Sequence, residues 1–228
     1  MDFCGLQKLT LLDYPGRTAC TLFTGGCNLR CAFCHNGGLV DAPEAMFSEE
    51  QILSFLSGRK KLLDGVCVTG GEPLLQSELK AFLYKVKDLG FSVKLDTNGC
   101  FPQRLKDLVR YGLVDYIAMD VKNSLANYPK TVGLPAFDVT PVCESISYIM
   151  EGNVPYEFRT TVVRELHGED DIVSVAKLIA GAQKYALQSF VDSGAVLTQG
   201  LSAWDKETIC RMADLAKPWV PNTEVRGI

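Results

Sequence analysis

The chain has 228 residues, 47% of them hydrophobic and 22% charged, which is ample for a buried core. No apolar run approaches the ~18 residues that a membrane span needs. The balance of 23 Lys+Arg against 27 Asp+Glu leaves a net charge of −4, which argues against non-specific nucleic-acid binding.

The N-terminus, MDFCGLQKLTLLDY, lacks a basic segment followed by an apolar one, so a cytoplasmic protein is expected. TACTLFT at 18–24 reads as a β-rich run that leads straight into a cysteine-rich loop. SEEQ at 48–51 carries helix-capping chemistry and predicts a helix from Ser48. The one basic triplet, Arg59 to Lys61, reads as a solvated helix end. GVCVTGGEP contains a buried strand at 66–69. In LLQSELKAFLYKVKDLG, the apolar residues Leu79, Phe82, Leu83 and Val86 recur at helical spacing, and Gly90 ends the helix.

The alternation continues along the chain. SVKLDTNG predicts a strand ending at Asp96, and PQRLKDLVRYG a helix with Pro102 near its start. DYIAMDVK predicts a strand ending near Asp120, followed by the least regular stretch, 123–139, a candidate loop or lid. TPVCESISYIMEGN is a helix, PYEFRTTVV a strand, GEDDIVSVAKLIAGAQKY a helix and ALQSFV a strand. SAWDKETICRMADLAK is the last helix, and TEVRGI a terminal strand.

About six β-then-α units imply a parallel sheet. The expected fold class is α/β, a single-domain partial (β/α)6-type TIM-like barrel over residues 1–228, since no linker rich in Pro, Gly or Ser interrupts it. Polar signatures fall at the C-terminal ends of predicted strands: the cysteine loop, Gly70 to Glu72, Asp96 to Asn98, and Asp120 to Lys122. In a parallel barrel those ends share the face on which active sites are built.

GGCNLRCAFCHN places Cys27, Cys31 and Cys34 within eight residues. Nine cysteines, an odd number and otherwise dispersed, do not make a disulfide framework; clustered ones point to metal or redox chemistry. A structural zinc site completed by His35 is one reading, although no second knuckle is present and His35 adjoins Cys34. A 4Fe-4S cluster fits better: a C-x3-C-x2-C loop supplies three thiolates and leaves one iron open to a small molecule. Gly25 and Gly26 allow the backbone to turn closely around the inorganic core. Cys4, Cys20, Cys67, Cys100, Cys143 and Cys210 read as small buried hydrophobes or reduced thiols, with Cys100 placed to border the pocket.

This spacing, with Phe33 just before the last cysteine, resembles the signature of radical S-adenosylmethionine enzymes. The resemblance implies that the open iron chelates the amino and carboxylate groups of the cofactor's methionine moiety. One electron from the cluster then cleaves the sulfonium to give a 5′-deoxyadenosyl radical. Gly70, Gly71 and Glu72 look like the family's GGEP segment, whose Glu meets the ammonium. Residues 9–36 are similar to the opening of glycyl-radical-enzyme activases, and within these to those serving anaerobic ribonucleoside-triphosphate reductase. D-Y-P-G at 13–16, C-H-N at 34–36 and V-R-G-I at 225–228 carry that narrower match.

By the same resemblance, Asp96, Thr97 and Asp120 hold a monovalent cation near the cofactor carboxylate. Asn98 belongs to the same D-T-N-G cofactor segment, Lys122 lies by that carboxylate, and Arg159 points toward the cofactor. The alternative is that the Asp and Lys residues are only salt-bridged to one another. His35 is expected to run its backbone along the adenine without its imidazole being catalytic. His167 reads as a surface residue. VDSGAVLTQGLSA has no His comparable to one that some activases place beside the adenine.

The leading expectation is therefore an activase that abstracts a hydrogen atom from a glycine of a partner glycyl-radical enzyme. Its electron donor would be reduced flavodoxin or ferredoxin, with neither nucleic acid nor membrane as partner. Two alternatives stand beside it: a small-molecule radical enzyme like the 7-deazaguanine-pathway synthase, and a non-catalytic metal- or cluster-binding module.

Overall fold

A computed structural model of the chain describes residues 1–192 and 194–228. Among the described residues the strands follow chain order through one eight-stranded sheet, and the first and last strands stand at the two ends of that order. This is an α/β fold of the partial-barrel class, and its elements fall in two compact units.

The first unit holds β1 (Gly5–Thr10), β2 (Ala19–Thr24), α1 (Glu49–Ser57), β3 (Gly65–Gly70), α2 (Leu79–Asp88), β4 (Ser92–Thr97), α3 (Pro102–Arg110) and the start of β5 (Tyr116–Asp120). β2 pairs parallel to β3 in unbroken register from Ala19↔Gly65 to Thr24↔Gly70, and β3 pairs parallel to β4. β1 departs from the expected all-parallel pattern: it runs antiparallel to β2, with a register shift between Gln7 and Thr10. Its sequence hid it. GLQKLT buries only Thr10, as suits an edge strand open to water on both faces.

The expected helices of this first unit appear for the expected reasons. Ser48 Oγ accepts from Gln51 N–H, and Gln51 Oε1 accepts from Ser48 N–H, the reciprocal cap that starts α1. Leu79, Phe82, Leu83 and Val86 form the buried face of α2, and Phe82 meets Phe3 at a ring separation of 4.9 Å. Val66, Val68, Val93 and Leu95 are fully buried between these helices and the strands.

The second unit holds the end of β5, then α4 (Tyr128–Thr131), α5 (Thr140–Glu151), β6 (Tyr156–Val162), α6 (Glu169–Leu178), β7 (Tyr185–Ser189), α7 (Lys206–Ala216) and β8 (Thr223–Arg226). β6, β7 and β8 are parallel neighbours. The stretch 123–139 is better tied than its irregular sequence suggests. Asn123 donates to Thr131 Oγ1 at 2.8 Å and to the Leu166 carbonyl at 2.9 Å, and Tyr128 stacks on Phe137 at 5.6 Å. α7 starts later than expected, because Asp205 caps it through Thr208 N–H at 2.9 Å. Ser202 and Trp204 serve loop contacts instead, to Glu165 and to the His167 carbonyl.

Among the described residues no helix is long and apolar enough to cross a membrane.

Candidate active site

In the first unit the turn after β3 lies directly on the start of the cysteine loop. Gly71 N–H donates to the Thr24 carbonyl at 2.9 Å and Glu72 N–H to the Gly26 carbonyl at 2.8 Å. Gln76 adds a bond from its side-chain amide to the Gly25 carbonyl at 2.7 Å. A side chain on Gly71 would run into the Gly26 backbone, so this approach requires glycine. Gly26 itself adopts φ +83°, the turn expected there. Gly26 and Cys27 N–H then bond Leu39 and Val40 carbonyls at 2.7 and 3.0 Å, closing the loop's base.

Glu72 is 1% exposed. A carboxylate buried this deeply needs donors, and its Oε1 accepts from Leu74 N–H at 3.0 Å and from the Thr97 hydroxyl at 2.8 Å. Gly70 and Glu72 thus stand on the end of β3, and Thr97 on the end of β4. Asp96, the residue before Thr97, forms a close ion pair with Lys94 two positions back on the same strand. Lys94 is buried, and the Cys67 thiol lies 3.8 Å from both groups. Lys94 was missed in the sequence; the signal was a lysine in the middle of a buried strand, spaced to share a face with Asp96.

In the second unit the rest of the cysteine loop is anchored on two sides. Arg30 N–H bonds the Val132 carbonyl at 2.9 Å, and Thr198 N–H bonds the Ala32 carbonyl at 3.0 Å. Within the loop, Cys34 N–H bonds the Cys31 carbonyl at 3.1 Å. Cys31 and Phe33 are buried, while Cys34 is half-buried. His35 is exposed, with its ring 6.1 Å from that of Phe190. Asn98 is buried and turns its side-chain oxygen back onto Cys100 N–H at 3.0 Å, leaving Cys100 half-buried beside it.

Asp120, Lys122 and Arg159 form one ion network. Lys122 Nζ lies 2.9 Å from Asp120 Oδ2 and Arg159 Nε lies 2.8 Å from Asp120 Oδ1. Burial pushes the Asp120 carboxyl up, but Arg159 and Lys122 outweigh it and hold the carboxyl far below the usual range. Burial works against the Lys122 ammonium in the same way. Asp120 reverses this, with Cys31 and Cys34 adding smaller electrostatic pulls, and holds the Lys122 ammonium above its usual value. A cation thus stands near two of the loop's thiols.

His167 is not the surface residue its loop position suggested. It is 1% exposed. Its Nδ1 lies 3.0 Å from Val163 N–H and its Nε2 lies 2.8 Å from the Lys122 carbonyl. Its ring meets Phe33 edge-on at 6.0 Å. Backbone groups satisfy both ring nitrogens, which is why a polar side chain can be buried here. Nothing local in RELHGEDD signals this, since the carbonyl partner lies 45 residues away.

Among the described residues no disulfide joins the cysteines, and no group of three or more Cys, His, Asp or Glu side chains is placed to hold a metal ion. As a donor set, three thiols in one short loop with a lysine near two of them suit an anionic, sulfur-ligated cluster with one side open.

Comparison with known proteins identifies the family. Relative to a Methanocaldococcus jannaschii protein named for glycyl-radical enzyme activation, the chain is 29% identical over 230 residues, covering 98% of this chain and 95% of that one. To a pyruvate formate-lyase-activating enzyme of Staphylococcus aureus it is 32% identical over 132 residues, about half of each chain. The fold matches that of Streptococcus suis SuiB bound to S-adenosylmethionine with a TM-score of 0.72 at 12% identity. That match covers 90% of this chain and 49% of SuiB, so the chain spans about half the length of that structure. The Radical SAM superfamily model matches residues 21–179. The protein therefore belongs to the radical SAM superfamily.

Proposed function

We propose that this enzyme is a glycyl-radical-enzyme activase whose partner is anaerobic ribonucleoside-triphosphate reductase. The names of its relatives support the activase class, and the DYPG, CHN and VRGI segments support the choice of partner. The observation that carries the reading is the backbone seam between Gly26 and the Gly71–Glu72 turn. That seam fixes a buried carboxylate against the start of a three-thiol loop, which suits a ligand with one end on the cluster and an ammonium nearby.

In this reading Cys27, Cys31 and Cys34 hold one 4Fe-4S cluster. When bound, the cluster and S-adenosylmethionine supply the one-electron cleavage and the deoxyadenosyl radical that takes a hydrogen atom from the partner's glycine. Every other task falls to the chain. Glu72, with the Gly70 and Gly71 backbone, receives the methionine ammonium in a charge-assisted hydrogen bond. Lys122 and Arg159 would meet its carboxylate; within the second unit Asp120 pairs with both cations. The His35 backbone would run along the adenine, and Phe33 and Asn98 would contribute further cofactor contacts. Asp96, Thr97 and Asp120 are the candidate oxygen donors for a monovalent cation. Reduced flavodoxin or ferredoxin supplies the electron.

The test is direct. Anaerobically reconstituted protein, reductant, S-adenosylmethionine and purified anaerobic ribonucleoside-triphosphate reductase should give a glycyl-radical doublet on the reductase in electron paramagnetic resonance. Formation of 5′-deoxyadenosine without any radical on the reductase would reject this partner. Release of a modified small molecule instead would favour the small-molecule class.

A further inference from the structure

The imidazole of His167, buried beside the cysteine loop, has both ring nitrogens satisfied by backbone groups, and no cofactor role uses it. His167 is 1% exposed and sits at the turn between β6 and α6. Val163 N–H, 3.0 Å from Nδ1, can only donate, so Nδ1 is the accepting nitrogen and Nε2 carries the proton. That proton faces the Lys122 carbonyl at 2.8 Å. The other end of the same residue is also held, since Lys122 N–H donates to the Tyr128 hydroxyl at 3.2 Å. The two side chains therefore grip the main chain of Lys122 from both sides. Its ammonium then reaches Asp120 from a fixed root.

The grip is itself braced. The His167 carbonyl accepts from the Trp204 indole at 2.9 Å, and the preceding Leu166 carbonyl accepts from Asn123 at 2.9 Å. Its ring edge also packs on Phe33 in the cysteine loop. One imidazole thus links the turn after β5, the turn after β6 and the loop that carries Cys31 and Cys34.

We infer that His167 is a positioning residue: with Tyr128 it clamps the Lys122 backbone and so fixes where the Lys122 ammonium meets the cofactor carboxylate. This rests on the reading of Lys122 as a cofactor contact. A lysine side chain has four flexible bonds, so its aim depends on how firmly its root is held. Outer-shell groups of this kind commonly change affinity by factors of 10 to 100 when removed.

Three variants test the clamp. His167→Phe keeps a ring against Phe33 but removes both nitrogens. His167→Gln can still offer an amide N–H to the Lys122 carbonyl. Tyr128→Phe removes only the hydroxyl that accepts from Lys122 N–H, and covers the case in which His167→Phe does not fold. Each is measured for hydrogen–deuterium exchange in peptides spanning 119–127, for the Kd of S-adenosylmethionine on reconstituted protein, and for iron per chain.

The expected result is faster exchange in 119–127 for His167→Phe and Tyr128→Phe, with Kd raised roughly tenfold and a few-fold respectively and iron unchanged. His167→Gln should return both readouts close to those of the parent protein. Unchanged exchange in His167→Phe and Tyr128→Phe would overturn the clamp. Faster exchange with unaltered Kd would overturn the positioning role. Equal loss of iron in the Phe and Gln variants of His167 would mark a residue needed only for packing. Parent protein that binds no S-adenosylmethionine would contradict the activase reading, while the exchange data would still decide whether the clamp exists.

Discussion

The hydroxyl of Thr97 donates to Glu72 Oε1 at 2.8 Å, tying the end of β4 to the turn after β3. Leu74 N–H donates to the same oxygen, so the buried carboxylate is oriented from two directions. Thr97→Val deletes one donor and leaves the shape nearly intact. Losing a hydrogen bond to a buried charged group costs about 1.5–3 kcal/mol. Thr97→Val should therefore lower the melting temperature and weaken S-adenosylmethionine binding by on the order of 10-fold or more, while Thr97→Ser should restore both. Calorimetric titration of the reconstituted protein measures it; equal affinity in Thr97→Val and parent would refute the orienting role.

Gly71→Ala places a methyl group into the Gly26 backbone, which cannot move aside as a flexible side chain could. Overpacking of this kind costs about 1–3 kcal/mol, and the strain falls on the start of the cysteine loop. Iron per chain after reconstitution should drop together with thermal stability. Gly38→Ala, where the added carbon meets nothing within 4 Å, should change neither.

Much of this arrangement could be read from the sequence because the signals were local. The apolar spacing of α2 and the Ser48–Gln51 cap needed only a few neighbouring residues, as did the polar signatures at the strand ends. What was hidden depends on distant partners. β1 lacks alternation because an edge strand need not bury a face. Lys94 matters through its pairing with Asp96 inside the sheet. His167 looks like loop polarity until the Lys122 carbonyl is placed against it. The ion network at Asp120 was anticipated as residue types, but Arg159 joins it through a contact 39 residues apart that spacing alone does not encode.

The start of α6 carries a pH-sensitive contribution to stability. Asp171 accepts from Ser124 Oγ at 2.6 Å, Asn127 Nδ2 at 2.7 Å and Gly168 N–H at 3.1 Å. Burial raises its carboxyl, but these donors, with His167 nearby, outweigh that and hold it below the usual value. A depressed folded-state value means that the stabilisation is present above the unfolded value of about 3.9 and is lost as pH falls through the folded one. Asp171→Asn should be less stable than the parent at pH 7 by on the order of 2 kcal/mol. Denaturant melts should show that gap narrowing as pH drops from about 5 toward 3; a gap that stays constant with pH would contradict this.

Cys27, Cys31 and Cys34 differ from the remaining thiols in what they should bind. Alanine at any one of the three should abolish cluster assembly and S-adenosylmethionine cleavage together. Alanine at Cys143 or Cys210, both half-buried and far from the loop in sequence, should leave iron per chain unchanged. Equal iron loss from the second pair would remove the ligand assignment.

The most direct test of the whole account is electron paramagnetic resonance on anaerobically reconstituted, dithionite-reduced protein, recorded with and without S-adenosylmethionine and followed by assay of 5′-deoxyadenosine. An open iron that binds the cofactor should give a reduced-cluster signal that changes when S-adenosylmethionine is added, with 5′-deoxyadenosine formed. A signal indifferent to the cofactor, or protein that takes up zinc and cannot be loaded with iron, would contradict it.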